Sequence, residues 1–301
     1  MTLLCEKLGH TPSEVDYLNI SVKEDMLQFV DPNLIDLVSE RETGKIGALA
    51  KQAKKQIDNF FERIFEVYRD DLANGEKRKE FMGLFSHFSE PHHIGLGFSQ
   101  EGNTGKGTTA KEFVDIFMNR DIISIILNED GLSIPQKTPL IKSFGDDKLS
   151  DLTTNIIMNV IIEFNRHLIK LYPELQSYQT EESEKYYYYS DGSWKEDEFQ
   201  PFLFDNRKTL LIPKLFTTYN QTSSLDLIIR VYIVEEIDKL QKENSTSKRM
   251  TKKEYTKTYI SGNRIDNITK IFLNTSQRSH EKFKSELRLK SNYRRKKHKE
   301  D

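Results

Sequence analysis

Cysteine is almost absent from this sequence of 301 residues, which contains Cys5 and no second cysteine. A single cysteine cannot form a disulfide within the chain, so we expect a protein of the reducing cytoplasm rather than a disulfide-stapled secreted domain. Long apolar stretches are missing as well: no run reaches about 18 residues, so we expect no membrane span. The start of the chain has no basic segment followed by an apolar block, and we expect no signal peptide.

Apolar residues are scarce and charged residues abundant, at 36% and 31% of the sequence. This balance predicts a soluble, helix-rich protein with a strongly hydrated surface. The length leaves room for one large domain or two modest ones, and so for a substantial core. No segment recurs at a fixed period, which argues against a repeat architecture.

The spacing of apolar residues predicts the fold class. Steps of three and four predict helices over 44–71 and 151–172, the second with Ser150 as its N-cap. The polar segment 173–199 is expected to be an irregular insertion. Short apolar runs predict four strands, near 93–98, 122–127, 139–144 and 209–214. We therefore expect a mixed α/β, helix-rich fold with a small central sheet flanked by helices.

Composition divides the chain into three regions. Residues 1–85 are predicted to be a helical N-terminal region, and residues 86–240 an α/β core. Residues 241–301 are predicted to be a basic C-terminal region with a short helix and a disordered tail.

The net charge of -2 hides a strong asymmetry between the two ends of the chain. Residues 239–301 contain 19 Lys and Arg against 7 Asp and Glu, whereas residues 1–238 contain 26 against 40. A basic end on an acidic body is typical of proteins that meet a polyanion, although such an end can also stay solvated or dock on the acidic body. The predicted nucleic-acid-binding residues are Lys248, Arg249, Lys252, Lys253, Arg294, Arg295, Lys296 and Lys297.

The segment EGNTGKGTTAKEF, residues 101–113, resembles a phosphate-binding loop at first sight. The P-loop pattern requires a glycine five residues before Gly105 and a serine or threonine after Lys106. Those positions hold Gln100 and Gly107. We therefore expect a flexible loop followed by a helix, and no ATP binding at Lys106.

A group of carboxylates follows the predicted strand 139–144, in the segment KSFGDDKLSDLTTN. Acidic residues between a strand and a helix often hold a hard divalent cation, because carboxylate oxygens suit Mg²⁺ or Mn²⁺. Asp146 and Asp147 are the predicted metal ligands, and Asp151 is a predicted catalytic residue. The alternative is turn chemistry at Gly145 with helix capping by Ser150 and Asp151.

Two further candidates flank this group along the chain. Glu90 stands just before the predicted strand 93–98. With His92 and His93 it could form a zinc or iron site, and the alternative is that these histidines lie at the surface in a turn after Pro91. Lys214 closes the predicted strand 209–214. A lysine there can stabilise a charged transition state, or simply face solvent.

The order Glu90, Asp147 and Lys214 resembles the restriction-endonuclease-like superfamily, the PD-(D/E)xK nucleases. The resemblance covers at most residues 85–216, and it departs at Ile212, where that family has an acidic residue two positions before the lysine. It implies a metal-dependent nuclease that uses Mg²⁺ or Mn²⁺, with Glu90, Asp147, Asp151 and Lys214 as catalytic residues.

Two functions remain open at this stage. The first is a metal-dependent nuclease, for which we expect a setting in bacterial defence against phage and a protein partner from the same operon. The second is a non-catalytic protein that binds nucleic acid or a partner through its basic C-terminal region. A nuclease requires Asp147 to converge with Glu90 or Asp151, whereas a binding protein does not.

Overall fold

The computed structural model of the chain describes residues 2–96, 109–243 and 249–300. Lys106 and Lys248 lie outside the described residues, so the expectations for the glycine-rich loop and for Lys248 stay predictions. Within the described ranges, no helix is both long and apolar enough to cross a membrane.

Helices dominate the fold. The first seven are α1 (Leu4–Leu8), α2 (Pro32–Arg41), α3 (Gly44–Arg69), α4 (Asn74–Leu84), α5 (Ala110–Phe117), α6 (Arg120–Leu127) and α7 (Ile134–Lys137). The others are α8 (Asp146–Ile156), α9 (Met158–Leu171), α10 (Leu225–Glu243), α11 (Lys252–Tyr255), α12 (Arg264–Leu273) and α13 (Gln277–Glu300). The mixed, helix-rich fold class is confirmed.

Strands form small antiparallel pairs instead of one central sheet. The pairs are β1 (Phe29–Val30) with β6 (Thr217–Thr218), β2 (Glu184–Ser190) with β3 (Ser193–Phe199), and β4 (Phe202–Phe204) with β5 (Arg207–Thr209). Asp191 and Gly192 join β2 to β3, with φ values of 50° and 81°. Positive φ at both residues gives the tight turn whose twist matches a hairpin.

Three of the four predicted strand positions were wrong, each for a local reason, and the fourth, 93–98, lies partly outside the described residues. Residues 122–127 belong to α6, because Ile122, Ile125 and Ile126 form one helical face and Asn119 caps the helix. Residues 139–144 begin in a 3₁₀ turn around Pro139, which has no N–H to offer a sheet. Residues 209–214 continue β5 by one residue and end in another 3₁₀ turn. His92–Ile94 is also a 3₁₀ turn.

The segment expected to be irregular contains the most regular sheet. Residues 184–199 form the β2–β3 hairpin, and Tyr186, Tyr189 and Phe199 are buried in the core. The Asp191-Gly192 turn was the available signal, and the many charged side chains on the exposed positions obscured it.

Helix α3 organises the main core. Its predicted apolar face is confirmed: Ile46 is half-buried, and the other eight predicted side chains are buried, namely Leu49, Ala50, Ala53, Ile57, Phe60, Phe61, Ile64 and Val67. The ring of Phe60 packs edge-to-face on Tyr189, with centroids 5.1 Å apart. Through this contact the β2–β3 hairpin packs against α3.

The helix predicted over 151–172 is two helices. Helix α8 already begins at Asp146, and the chain breaks at Ile157 before α9. Ser150 is therefore not an N-cap. It lies inside α8, where its hydroxyl accepts a hydrogen bond of 2.9 Å from the N–H of Val30.

The C-terminal tail, expected to be disordered, is helix α13. Its residues Phe283 and Leu287 are buried in a second core with α10 and α12. Tyr232 of α10 lies between Phe272 and Phe283, at ring distances of 5.3 and 5.8 Å. Apolar contacts from α10 and α12 thus order a segment whose composition alone favours disorder.

Candidate functional site

Three of the predicted catalytic residues lie close together. Asp147 and Asp151 are one turn apart in α8, so they share a helix face. Glu90 reaches the same face because the amide of Asn155 donates to the carbonyl oxygens of Ser89 and Asp151, each at 2.8 Å. That amide ties the segment before Pro91 to α8. We call Glu90, Asp147 and Asp151 the carboxylate trio.

The pKa values of both aspartates in the trio are raised. Burial, together with the charges of Asp147 and Glu90, raises the pKa of Asp151 to about 8. Burial also raises the pKa of Asp147, against the opposing charge of Lys148. Asp151 therefore exchanges its proton near neutral pH, which is what a general acid or base requires.

The trio does not form a metal site in this geometry. Among the described residues, no three His, Cys, Asp or Glu side chains are placed so that they could hold a metal ion. Asp146 turns away from the trio: its carboxylate accepts a hydrogen bond of 3.2 Å from the N–H of Gln221. The described residues therefore offer no set of three protein ligands for the expected Mg²⁺ or Mn²⁺.

Lys214 contacts a different part of the molecule. It begins a 3₁₀ turn, and its ammonium donates to the carbonyl oxygen of Pro12 at 3.1 Å. It lines a cavity with Asp16, Glu42 and His167, and no member of the trio lines that cavity. The structure thus does not bring Lys214 to the trio.

A cavity of about 230 Å³ opens beside Glu90. Its wall holds a polar chain: His93 Nδ1 lies 3.1 Å from the Tyr186 hydroxyl, which donates to Glu184 Oε2 at 3.3 Å. Burial alone would raise the pKa of Glu184, but Lys208 and His93 lower it, so this carboxylate stays ionised. Sequence reasoning missed Tyr186 and Glu184 because it missed the hairpin that carries them.

The basic C-terminal region is partly neutralised by the acidic body. In α13, Arg288 pairs with Glu40, and Arg295 and Lys299 both pair with Glu42. One side of this helix thus docks on the acidic body, which was one of the two alternatives to nucleic-acid binding.

The opposite side of α13 carries cations without such partners. Lys282, Leu289, Tyr293, Lys296 and Lys297 are spaced so that they share one exposed face, which we call the basic strip. Within the part of the chain that the structure describes, no carboxylate pairs with its three lysines. Leu289 is 64% exposed and Tyr293 is 65% exposed. Arg294, at the edge of this face, is half-buried.

Other predicted nucleic-acid-binding residues lie near the start of the strip. Burial lowers the pKa of Lys252, and the nearby charges of Lys282 and Arg230 lower it further. Lys253 is exposed beside it, whereas Arg249 is paired with Asp238. The repulsion around Lys252 indicates a local excess of positive charge.

Comparison with known proteins gives one match. A family model described as "Domain of unknown function (DUF8370)" matches residues 7–224. No curated protein and no solved structure matches the chain. The family match contains the carboxylate trio and ends directly before α10, so the basic strip lies outside it.

Proposed function

The chain belongs to the DUF8370 family, a domain of unknown function, and we propose that it is a nucleic-acid-binding protein that holds the phosphate backbone on the basic strip. The observation that carries the proposal is the division of α13 into two sides. One side is ion-paired to Glu40 and Glu42, and the other presents lysines that form no ion pair with a carboxylate of the described residues.

The shape of the strip suits a phosphate backbone. Lys282 and Lys297 are separated along α13 by about 22 Å at ~1.5 Å per residue. The strip can therefore meet several consecutive phosphates, and phosphate contacts supply affinity without sequence preference. Tyr293 adds an exposed ring on which an unpaired base can stack, which favours a single strand.

The ion-paired side of α13 supports phosphate binding by the basic strip. The Glu40 and Glu42 pairs, together with buried Phe283 and Leu287, hold the helix on the body. The lysines of the strip are therefore presented on an ordered helix, and less conformational entropy is lost on binding. The buried, unbridged Cys5 agrees with a cytoplasmic protein, where nucleic acid is at hand.

Removing two charges from the strip should flatten the salt dependence of binding. For the double variant Lys296→Gln and Lys297→Gln, the slope of log affinity against log salt should fall by about 1.4 on a single-stranded oligonucleotide, ~0.7 per phosphate contact. Fluorescence anisotropy over a range of salt concentrations measures the slope, with oligonucleotides of different sequence giving similar affinities.

The control for this experiment removes the same charge elsewhere. Lys51 in α3 and Lys79 in α4 are exposed and make no ion pair with a described residue. The double variant Lys51→Gln and Lys79→Gln should keep the original slope. If both double variants lose the same slope, net charge and not the strip governs binding, and the proposal fails.

A second candidate function is hydrolysis of a phosphodiester at the carboxylate trio, in the defence setting expected from the resemblance. It is favoured by one observation: Asp151, whose pKa is raised to about 8, belongs to the same trio as Glu90, which lines a cavity. Such a carboxylic acid can protonate a leaving oxygen. The basic strip would then serve to bind the substrate.

The neighbouring aspartates of α8 separate this candidate from simple binding. If the chain cleaves DNA or RNA, Asp147→Asn should lower the rate by roughly 10²- to 10³-fold. Asp146→Asn, one residue away but turned toward Gln221, should change it by less than about 10-fold. Cleavage is measured with a labelled oligonucleotide, with Mg²⁺, with Mn²⁺ and with chelator. No cleavage by the unaltered chain under any of these conditions removes the candidate.

A further inference from the structure

A second cavity, of about 530 Å³, lies between the body and the end of α13. Basic side chains enter it from separate elements: Lys45 from α3, Lys214 from the turn after Pro213, and Lys299 from α13. Lys45 also pairs with Glu163, and Lys299 pairs with Glu42. Only Ile46 and Leu215 are apolar among its lining residues. The cavity is therefore polar, and its size suits a small ligand.

The start of α3 supplies N–H donors to the same cavity. Thr43, the N-cap of this 26-residue helix, makes no capping hydrogen bond with its side chain, and Thr43, Lys45 and Ile46 all line the cavity. The first N–H groups of a helix attract anions. The hydroxyls of Thr43 and Ser13 are further donors on the same wall.

Two carboxylates also line the cavity, and they have different surroundings. Burial alone would raise the pKa of Glu42, but hydrogen bonds from Lys299 and Arg295 outweigh it and lower the pKa. The charge of Glu42 is thus already matched by two cations. Asp16 is exposed, and no described residue forms an ion pair with it. An ionised Asp16 can accept a hydrogen bond from a ligand but can donate none.

We propose that this cavity binds a phosphate group that still carries one proton, with its bare oxygens at Lys45, Lys214 and the start of α3, and its O–H donating to Asp16. Free phosphate carries this proton at neutral pH, whereas the terminal phosphate of a nucleic acid strand carries it only below its second pKa of about 6. Sulfate has the same shape and is fully deprotonated at neutral pH, so Asp16 repels it. The site does not depend on the basic strip, although the two meet near the end of α13.

His167 provides a local reporter. Burial lowers its pKa, Lys45 and Lys170 lower it further, and Asp16 and Glu163 oppose them. An anion bound in the cavity should raise the pKa of His167, and this is measured by following the imidazole resonances against pH with and without phosphate. His87, which lines the other cavity, should not respond.

The test compares inorganic phosphate with sulfate by isothermal titration calorimetry on the full chain. Phosphate should bind with a Kd in the millimolar range or tighter, and sulfate at least about 10-fold more weakly. Asp16→Asn should remove the preference, and Lys214→Gln should weaken phosphate binding. Both substituted side chains lie at the surface or partly exposed, and circular dichroism checks that the variants are folded.

Oligonucleotides with a 5′-phosphate and with a 5′-hydroxyl form the second arm, titrated at a pH of about 5.5 so that the terminal phosphate carries one proton. Tighter binding of the phosphorylated strand, lost in Lys214→Gln, assigns the site to a strand end, whereas equal binding assigns it to free phosphate. The proposal is overturned if phosphate does not bind, if sulfate binds equally well, or if neither substitution changes the titration. The salt-slope experiment tests only the basic strip, and its failure would not change the result of the phosphate titration. The two proposals can therefore fail independently.

Discussion

At pH 8 the Asp151→Asn variant should be more stable than the unaltered chain, and this gain should shrink as the pH falls toward 5. The folded pKa of Asp151 is raised to about 8 by burial and by Asp147 and Glu90, whereas an unfolded aspartate has a pKa of about 3.9. Between these values the folded chain holds a proton that the unfolded chain has released. Stability therefore falls as the pH rises through this window, by up to about 1.4 kcal/mol per pH unit, and is level above it.

Asparagine removes the cause of this loss. Its side chain is neutral at every pH, so it carries no buried charge and is not repelled by Asp147 or Glu90. The measurement is urea unfolding from pH 5 to pH 9. Asp191→Asn is the control, because hydrogen bonds from Lys195 and Ser190 lower the pKa of that exposed carboxyl to about 2. Its contribution is lost only at acid pH, so its curve should parallel that of the unaltered chain. A parallel curve for Asp151→Asn would show that Asp151 is not held protonated.

A carboxyl group that destabilises its own fold is unusual in a purely structural position. Selection tolerates such a group where the shifted pKa performs a task, and active sites are where raised carboxyl pKa values concentrate. A variant that gains stability and loses cleavage would therefore favour hydrolysis at the trio. A variant that gains stability and keeps nucleic-acid binding unchanged would leave the basic strip as the functional surface.

Local spacing could be read from the sequence, and this covers part of the candidate site. The four-residue step from Asp147 to Asp151 places both on one helix face whatever the rest of the chain does. The apolar face of α3 was readable for the same reason. The approach of Glu90 depends instead on the contact from Asn155 to Ser89, across 66 residues of sequence. No local pattern encodes that contact.

The errors share a physical origin in tertiary contacts. A run such as DIISIIL suits a buried strand or a buried helix equally, and the cap at Asn119 decides between them. Lys214 ends beside Pro12, about 200 residues earlier in the chain, which no spacing argument can foresee. The basic tail is helical because it forms ion pairs with Glu40 and Glu42 and packs against the aromatic side chains of α10 and α12.

The most destabilising single change we expect is Lys137→Met in α7. Lys137 and Asp130 form an ion pair of 3.0 Å whose side chains are 1% and 0% exposed. The same ammonium donates to the carbonyl oxygens of Ile125, Ile126 and Asn128, and so satisfies the C-terminal end of α6. Methionine keeps the length of the side chain and leaves the buried carboxyl group of Asp130 without its cation. Breaking a buried pair in this way costs about 3–5 kcal/mol.

A double-mutant cycle separates the pair from the packing around it. Asp130→Asn retains an oxygen that can accept the N–H of Leu132, which now donates to the carboxylate at 2.7 Å. Urea unfolding of both single variants and of the double variant gives the coupling energy. The double variant should be more stable than Lys137→Met alone, because it has no unpaired buried carboxylate. If Lys137→Met costs less than about 1 kcal/mol, the pair is as weak as a surface ion pair and water must reach it.

Ile125, Leu132 and Leu140, which surround this pair in sequence, belong to the core of α10, α12 and α13. Loss of the pair should therefore loosen the support of the basic strip and weaken nucleic-acid binding without touching any of its lysines.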